Sequence, residues 1–280
     1  EILEAQVEWI IEQKSALDIR MVVQVGDIVD DDVPTQWQNA SGALGRLAGQ
    51  VPLLFVPGNH DFAVTTQRAS LLEHYLDPAD FRAGNLGGSY DARGWNSYQI
   101  MSSPTRDWLF LGLEFAPRYE VMQWAADVLR EHADLDAVVV THLYLYSDDT
   151  RYEFARYGHS QLWNPHFYGF DPGNKHDGEQ MWQQILRAHP RLRFVLCGHA
   201  LGDGVGRLSS TGDEGNRVHQ LLSNYQQLVD QHVSADGLDG FLRIMTFSDD
   251  DTQVAIRTYS PFLDVEHEDS QNRFAYELDF

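Results

Sequence analysis

Four short polar clusters hold the side chains of this sequence whose chemistry could work together: Gly26-Asp27, Gly58-Asn59-His60-Asp61, Thr141-His142 and Gly198-His199. Each has an ordinary reading on its own. Asp27 would be a turn residue or helix cap, the second cluster a tight turn, and His142 and His199 hydrogen-bonded core or surface histidines. As a set they offer a carboxylate, an amide oxygen and two imidazoles, with no thiolate. Such oxygen and nitrogen donors suit borderline divalent metals (Mn, Fe, Co or Zn) and do not suit a structural zinc site. The single cysteine, Cys197, excludes an internal disulfide and any multi-cysteine zinc site.

Position makes the set coherent, because each cluster ends an apolar run. Met21–Val25, Leu53–Val56, Asp136–Thr141 and Phe194–Cys197 read as buried strands, and Trp108–Phe115 as another. Apolar residues at helical spacing place helices over 2–18, 36–49, 119–132 and 178–188. Alternating strands and helices predict an α/β fold with a largely buried sheet. In such sheets ligands bind beyond the carboxyl ends of the strands, so clusters distant in sequence can meet in one crevice. After residue 215 the pattern changes. Val218–Leu222, Gly240–Phe247 and Val254–Ser260 read as consecutive strands of a meander. Residues 77–107 and 143–177 show no clear periodicity, and the second reads as an insertion over one face. Within it, Tyr144, Tyr146, His159, His166 and Tyr168 would either contact a ligand or pack on one another.

Composition narrows the partners. The 280 residues carry 20 basic and 42 acidic side chains, a formal charge of −22. A surface that negative repels phosphate backbones, which argues against nucleic acid as a partner. No apolar run reaches the length of a membrane span. No basic-then-apolar leader is visible at Glu1, and the opening residues already read as helix. Export and oligomeric state are left open.

The motifs Gly26-Asp27-Ile28-Val29-Asp30, Gly58-Asn59-His60-Asp61, His142 and Gly198-His199, in this order, resemble those of the calcineurin-like metallophosphoesterase family. The resemblance spans residues 1 to about 205. Asn224-Tyr225-Gln226 and Thr258-Tyr259-Ser260-Pro261 are similar to a bacterial branch of that family. It implies a two-layered β sandwich flanked by helices, residues 1–280 forming one phosphoesterase domain without its N-terminal strand. It also implies one or two divalent metal ions at the strand ends and hydrolysis of a phosphoester of a small molecule by a metal-activated hydroxide. Asp27 would bridge the metals, and Asn59, His142 and His199 would hold the second one. His60 would act on the phosphoryl group or protonate the leaving oxygen, and Asp61 would orient His60 and keep it protonated.

Two departures bear on the first metal. The family's first motif, an Asp followed two residues later by His or Gln, precedes the first helix, where this chain begins. The second histidine of the last motif is replaced by Leu201. Asp203 would either substitute for it or form a solvated turn. These departures motivate the alternative of a non-catalytic phosphate- or metal-binding module with a degenerate first site.

Overall fold

The computed structural model describes residues 1–226 and 239–278. The chain opens with helix α1 (Ile2–Gln13), strand β1 (Val22–Gln24), helix α2 (Pro34–Leu44) and strand β2 (Leu53–Phe55). Proline at the first position of α2 suits a helix start, because its missing N–H would be unbonded there anyway. Next come α3 (Leu72–Tyr75), β3 (Leu86–Ser89), β4 (Ser97–Ser102), β5 (Asp107–Leu113), α4 (Tyr119–Glu131) and β6 (Asp136–Thr141). After α5 (Phe154–Tyr157), α6 (Gly178–Gln184) begins on a capping box. The Asp177 side chain accepts from the Gln180 amide, and the Gln180 side chain accepts from the Asp177 amide, 2.9 Å each. The remaining strands are β7 (Leu192–Cys197), β8 (Val205–Thr211), β9 (Arg217–Ser223), β10 (Leu242–Phe247), β11 (Gln253–Ser260), β12 (Val265–His267) and β13 (Phe274–Glu277).

A seven-stranded mixed sheet runs in the order β3-β4-β5-β6-β7-β9-β8. Its centre, β5, β6, β7 and β9, is parallel. Every residue of β6 is buried, as expected of a parallel strand covered on both faces. Beside it lie the parallel pair β1-β2 and an antiparallel sheet in which β11 pairs with β10, β12 and β13. The two layers meet across an apolar core of Leu54, Val56, Trp108, Phe110, Val138, Val140, Phe194, Leu221, Val254 and Ile256. A larger apolar cluster holds the helices, with Val7 of α1, Trp37 of α2, Val121 and Ala125 of α4, and Met181 and Trp182 of α6. The fold is therefore the expected sandwich of sheets flanked by helices.

Two expectations are revised and one element is added. Residues 77–107 are not irregular throughout, because β3 and β4 extend the large sheet antiparallel to β5. The strand at 218–222 does not join a meander. It pairs parallel with β7 and antiparallel with β8, so only β10 to β12 follow one another as a meander. Residues 205–211, unassigned from sequence, form the edge strand β8. Among the described residues no helix is long and apolar enough to cross a membrane.

Candidate metal centre

The carboxyl ends of β1, β2, β6 and β7 converge. Asp27 lies three residues past β1, Asn59 four past β2, His142 one past β6 and His199 two past β7. The Asp27 carboxylate is 3.1 Å from His142 Nε2. Asn59 Oδ1 is 3.1 Å from the same nitrogen and 2.7 Å from His199 Nδ1. The two imidazole nitrogens are 3.1 Å apart. One ligand atom each from Asp27, His142 and His199 fits within 4.8 Å of the others, and the triad could hold a metal ion.

Two glycines permit the approach. Gly26 has φ +97°, and a Cβ there would lie 2.5 Å from His142 Nδ1. A Cβ on Gly58 would lie 2.1 Å from Asp27 Oδ1 and 2.3 Å from the Asp27 backbone nitrogen. The candidate ligands themselves bear strain, since Asp27 sits at φ +53° and His199 at φ +71°. Left-handed backbone at non-glycine residues persists where the surroundings over-determine it, and it concentrates at functional sites.

Backbone carbonyls fix the tautomers. A carbonyl can only accept, so the 2.7 Å contact of His142 Nδ1 with the Val25 oxygen places a proton on Nδ1 and turns Nε2 to the centre. By the same argument His199 Nε2 donates to the Trp163 carbonyl at 3.0 Å, which leaves the Nδ1 lone pair facing inward. Burial, reinforced by the adjacent His142, lowers the His199 pKa to about 3, so its imidazole is neutral. Burial would raise the Asp27 pKa, but the His142 charge and hydrogen bond bring it down to about 2. Burial would lower His142, yet Asp27 raises it on balance.

The donor set fits a cation. With Oδ1 of Asn59 and Nδ1 of His199 turned inward, two acceptors face each other at 2.7 Å without a proton to share. A carboxylate oxygen adds further negative charge beside them. Such a cluster is repulsive unless a positive centre lies among the atoms, either the proton that Asp27 draws to His142 Nε2 or a bound cation that takes its place.

His60 and Asp61 occupy different surroundings. The His60 backbone N–H donates to Asp27 Oδ1 at 3.0 Å, while its side chain is 46% exposed. Its Nδ1 donates to the Asp30 carbonyl at 2.8 Å. Asp61 is buried, and its two oxygens accept from the backbone N–H groups of Val29 (3.0 Å) and Gly58 (2.7 Å). Burial and the nearby Asp27 charge push its pKa up to about 7, against the pull of those amides. The expectation that Asp61 orients His60 is thus corrected. Its carboxylate is committed to two loops, and Asp30 takes the ring. Leu201 is half-buried and brings no ligand atom. Asp203 accepts from the Val205 amide at 3.2 Å, as a turn residue does.

The insertion 143–177 builds a wall. Tyr144 is fully buried, His159 stacks on Phe167, and His166 bonds Gln180. Tyr146 packs on Tyr152, and Tyr152 and Tyr168 pack near His199. Of the residues singled out there, Tyr168 is the one that lies against a candidate ligand. The carbonyls of Val25, Asp30 and Trp163 were not foreseeable from sequence, since every residue carries one and only the fold selects these three.

Residues 2–203 match the family described as Calcineurin-like phosphoesterase, and the chain belongs to that family. It is also 27% identical over 271 residues to a Bacillus subtilis (strain 168) protein described as "Uncharacterized protein YvnB". That match covers 94% of this chain and 18% of the Bacillus protein, so the chain corresponds to a small part of that relative.

Proposed function

We propose that the chain hydrolyses a phosphoester of a small molecule, with a divalent ion (Mn, Fe, Zn or Co) held by Asp27, Asn59, His142 and His199. The observation that carries this reading is the convergence of inward-facing ligand-type atoms from four separate strand ends, with both imidazoles oriented by backbone carbonyls. A divalent ion bound there would polarise a phosphoryl oxygen and bring the pKa of a water toward neutrality.

The residues of the chain supply the rest. His60 stands at the rim with its Nδ1 proton held by Asp30, so Nε2, which has no partner among the described residues, is the atom available to the substrate. From there a protonated ring donates to a phosphoryl oxygen or to the leaving oxygen. Asp61 acts as a positioning residue. By joining the Gly58 and Val29 amides it holds the loops that carry Asp27 and Asn59 together. No side-chain nucleophile is needed. The negative charge of the chain favours a small ester over a nucleic acid.

The test is hydrolysis of an aryl phosphate and its diester after chelation and after re-addition of Mn²⁺. Turnover is expected only with the metal and is expected to vanish in Asp27→Ala and His142→Ala. Metal binding without turnover of either ester would instead support the non-catalytic module, the reading favoured by Leu201.

A further inference from the structure

Trp163 is the residue of the insertion whose backbone reaches a candidate ligand, through the carbonyl that accepts from His199 Nε2 at 3.0 Å. Its φ is +55°, a conformation that a bulky side chain adopts only under constraint. Its indole is not the reason for that constraint, because Trp163 is 44% exposed. The neighbours supply it. The Tyr152 hydroxyl donates to the Leu162 carbonyl at 3.0 Å, and the buried Asn164 accepts from the His166 amide at 3.1 Å. Tyr152 also packs its ring 5.8 Å from that of His199. The turn is therefore clamped on both sides of a strained residue whose carbonyl points at a ligand.

We infer that Trp163 is a positioning residue. Its left-handed backbone aims the carbonyl that holds His199 with the proton on Nε2 and Nδ1 bare, which ties the insertion 143–177 to the metal centre. The inference deepens the metal-site reading above and rests on it for its effect on metal affinity, while the tautomer of His199 can be read without any metal. A first-coordination histidine that loses the partner of its other nitrogen typically loses about 10–100-fold in metal affinity. The backbone, and not the indole, carries the role.

The test combines histidine ¹⁵N NMR of the metal-free chain with Mn²⁺ titration. In the unsubstituted chain His199 is expected to show one tautomer, protonated on Nε2. Trp163→Gly removes the indole but adopts positive φ freely, so it is expected to keep that tautomer and to change Mn²⁺ affinity less than about threefold. Trp163→Pro cannot reach φ +55° and is expected to give mixed His199 tautomers with at least tenfold weaker Mn²⁺ binding. Because the proline variant can also disturb folding, Tyr152→Phe provides a milder arm. Loss of its hydroxyl is expected to loosen the turn and weaken Mn²⁺ severalfold with the thermal midpoint nearly unchanged. The inference is overturned if His199 is protonated on Nδ1 in the unsubstituted chain. It is also overturned if glycine and proline weaken Mn²⁺ equally, or if neither proline nor Tyr152→Phe alters the tautomer. Failure of the unsubstituted chain to bind Mn²⁺ would sink the metal-site reading, and the tautomer would still decide the role of Trp163.

Discussion

His60 and the four candidate ligands differ in what surrounds them, and that difference separates their roles. His142 and His199 are buried and held by carbonyls, whereas the His60 ring is half exposed and touches the cluster only through its backbone amide. His60→Ala is therefore expected to lower turnover by about 10²–10⁴-fold, the usual contribution of a positioned acid or base, while Mn²⁺ affinity and thermal midpoint stay close to those of the parent. Parallel kinetics and calorimetry check this, and a loss of metal affinity matching the loss of turnover would make His60 a ligand. The residue types and their order at strand ends were enough to single out the cluster. Their partners were not legible. Asp61 looked like a partner for its neighbour His60, yet a carboxylate beside a glycine turn can equally cap backbone amides, and only the folded loops decide between the two.

At the level of elements, the site depends on loops that pass within contact of one another. Gly58 follows β2 and lies against Asp27, which follows β1, and the two strands pair in parallel. A methyl group at Gly58 would meet the Asp27 backbone as well as its carboxylate, so neither side can yield cheaply. Gly58→Ala is expected to cost about 1–3 kcal/mol in chemical denaturation and at least tenfold in Mn²⁺ affinity. An unchanged affinity would show that the spacing of these loops is not what sets the ligand geometry. The strands that carry the site were readable because they are apolar, and β6 and β7 also lie at the centre of the large sheet. The outer strands β3 and β4 were not. The Leu-Gly-Gly-Ser of β3 has no β-branched residue, and β4 buries Ser97 and Gln99, with the Gln99 amide donating to the Leu53 carbonyl. Their strand character comes from pairing partners, not from local preference. The placement of β9 beside β7 likewise follows from tertiary pairing, which a local pattern of apolar residues cannot specify.

For the molecule as a whole, stability and the site can be addressed separately, because a buried histidine lies at the amino-terminal end of β7. His189 is buried beside Arg193, Arg191 and Asp136, and the buried Asp136 takes ion pairs from Arg106, Arg191 and Arg193. Burial, then the Arg193 charge, lowers the His189 pKa from 6.5 to about 4. The unfolded chain then binds more protons than the folded one between those values, so stability is intact above pH 6.5 and falls as pH drops toward 4. Between pH 7.5 and 5 the loss from this group is about 2 kcal/mol. Urea unfolding of His189→Gln at the two pH values is expected to show a drop smaller than the parent's by about that amount, and equal drops would place the acid sensitivity elsewhere. The central claim is that side chains from four strand ends share one cation. Anomalous diffraction from crystals soaked in Mn²⁺ tests it most directly. A single strong peak is expected within bonding distance of Asp27, Asn59, His142 Nε2 and His199 Nδ1, and it is expected to be absent in His142→Ala. Density only at surface carboxylates, or a peak that leaves either imidazole uncoordinated, would contradict it.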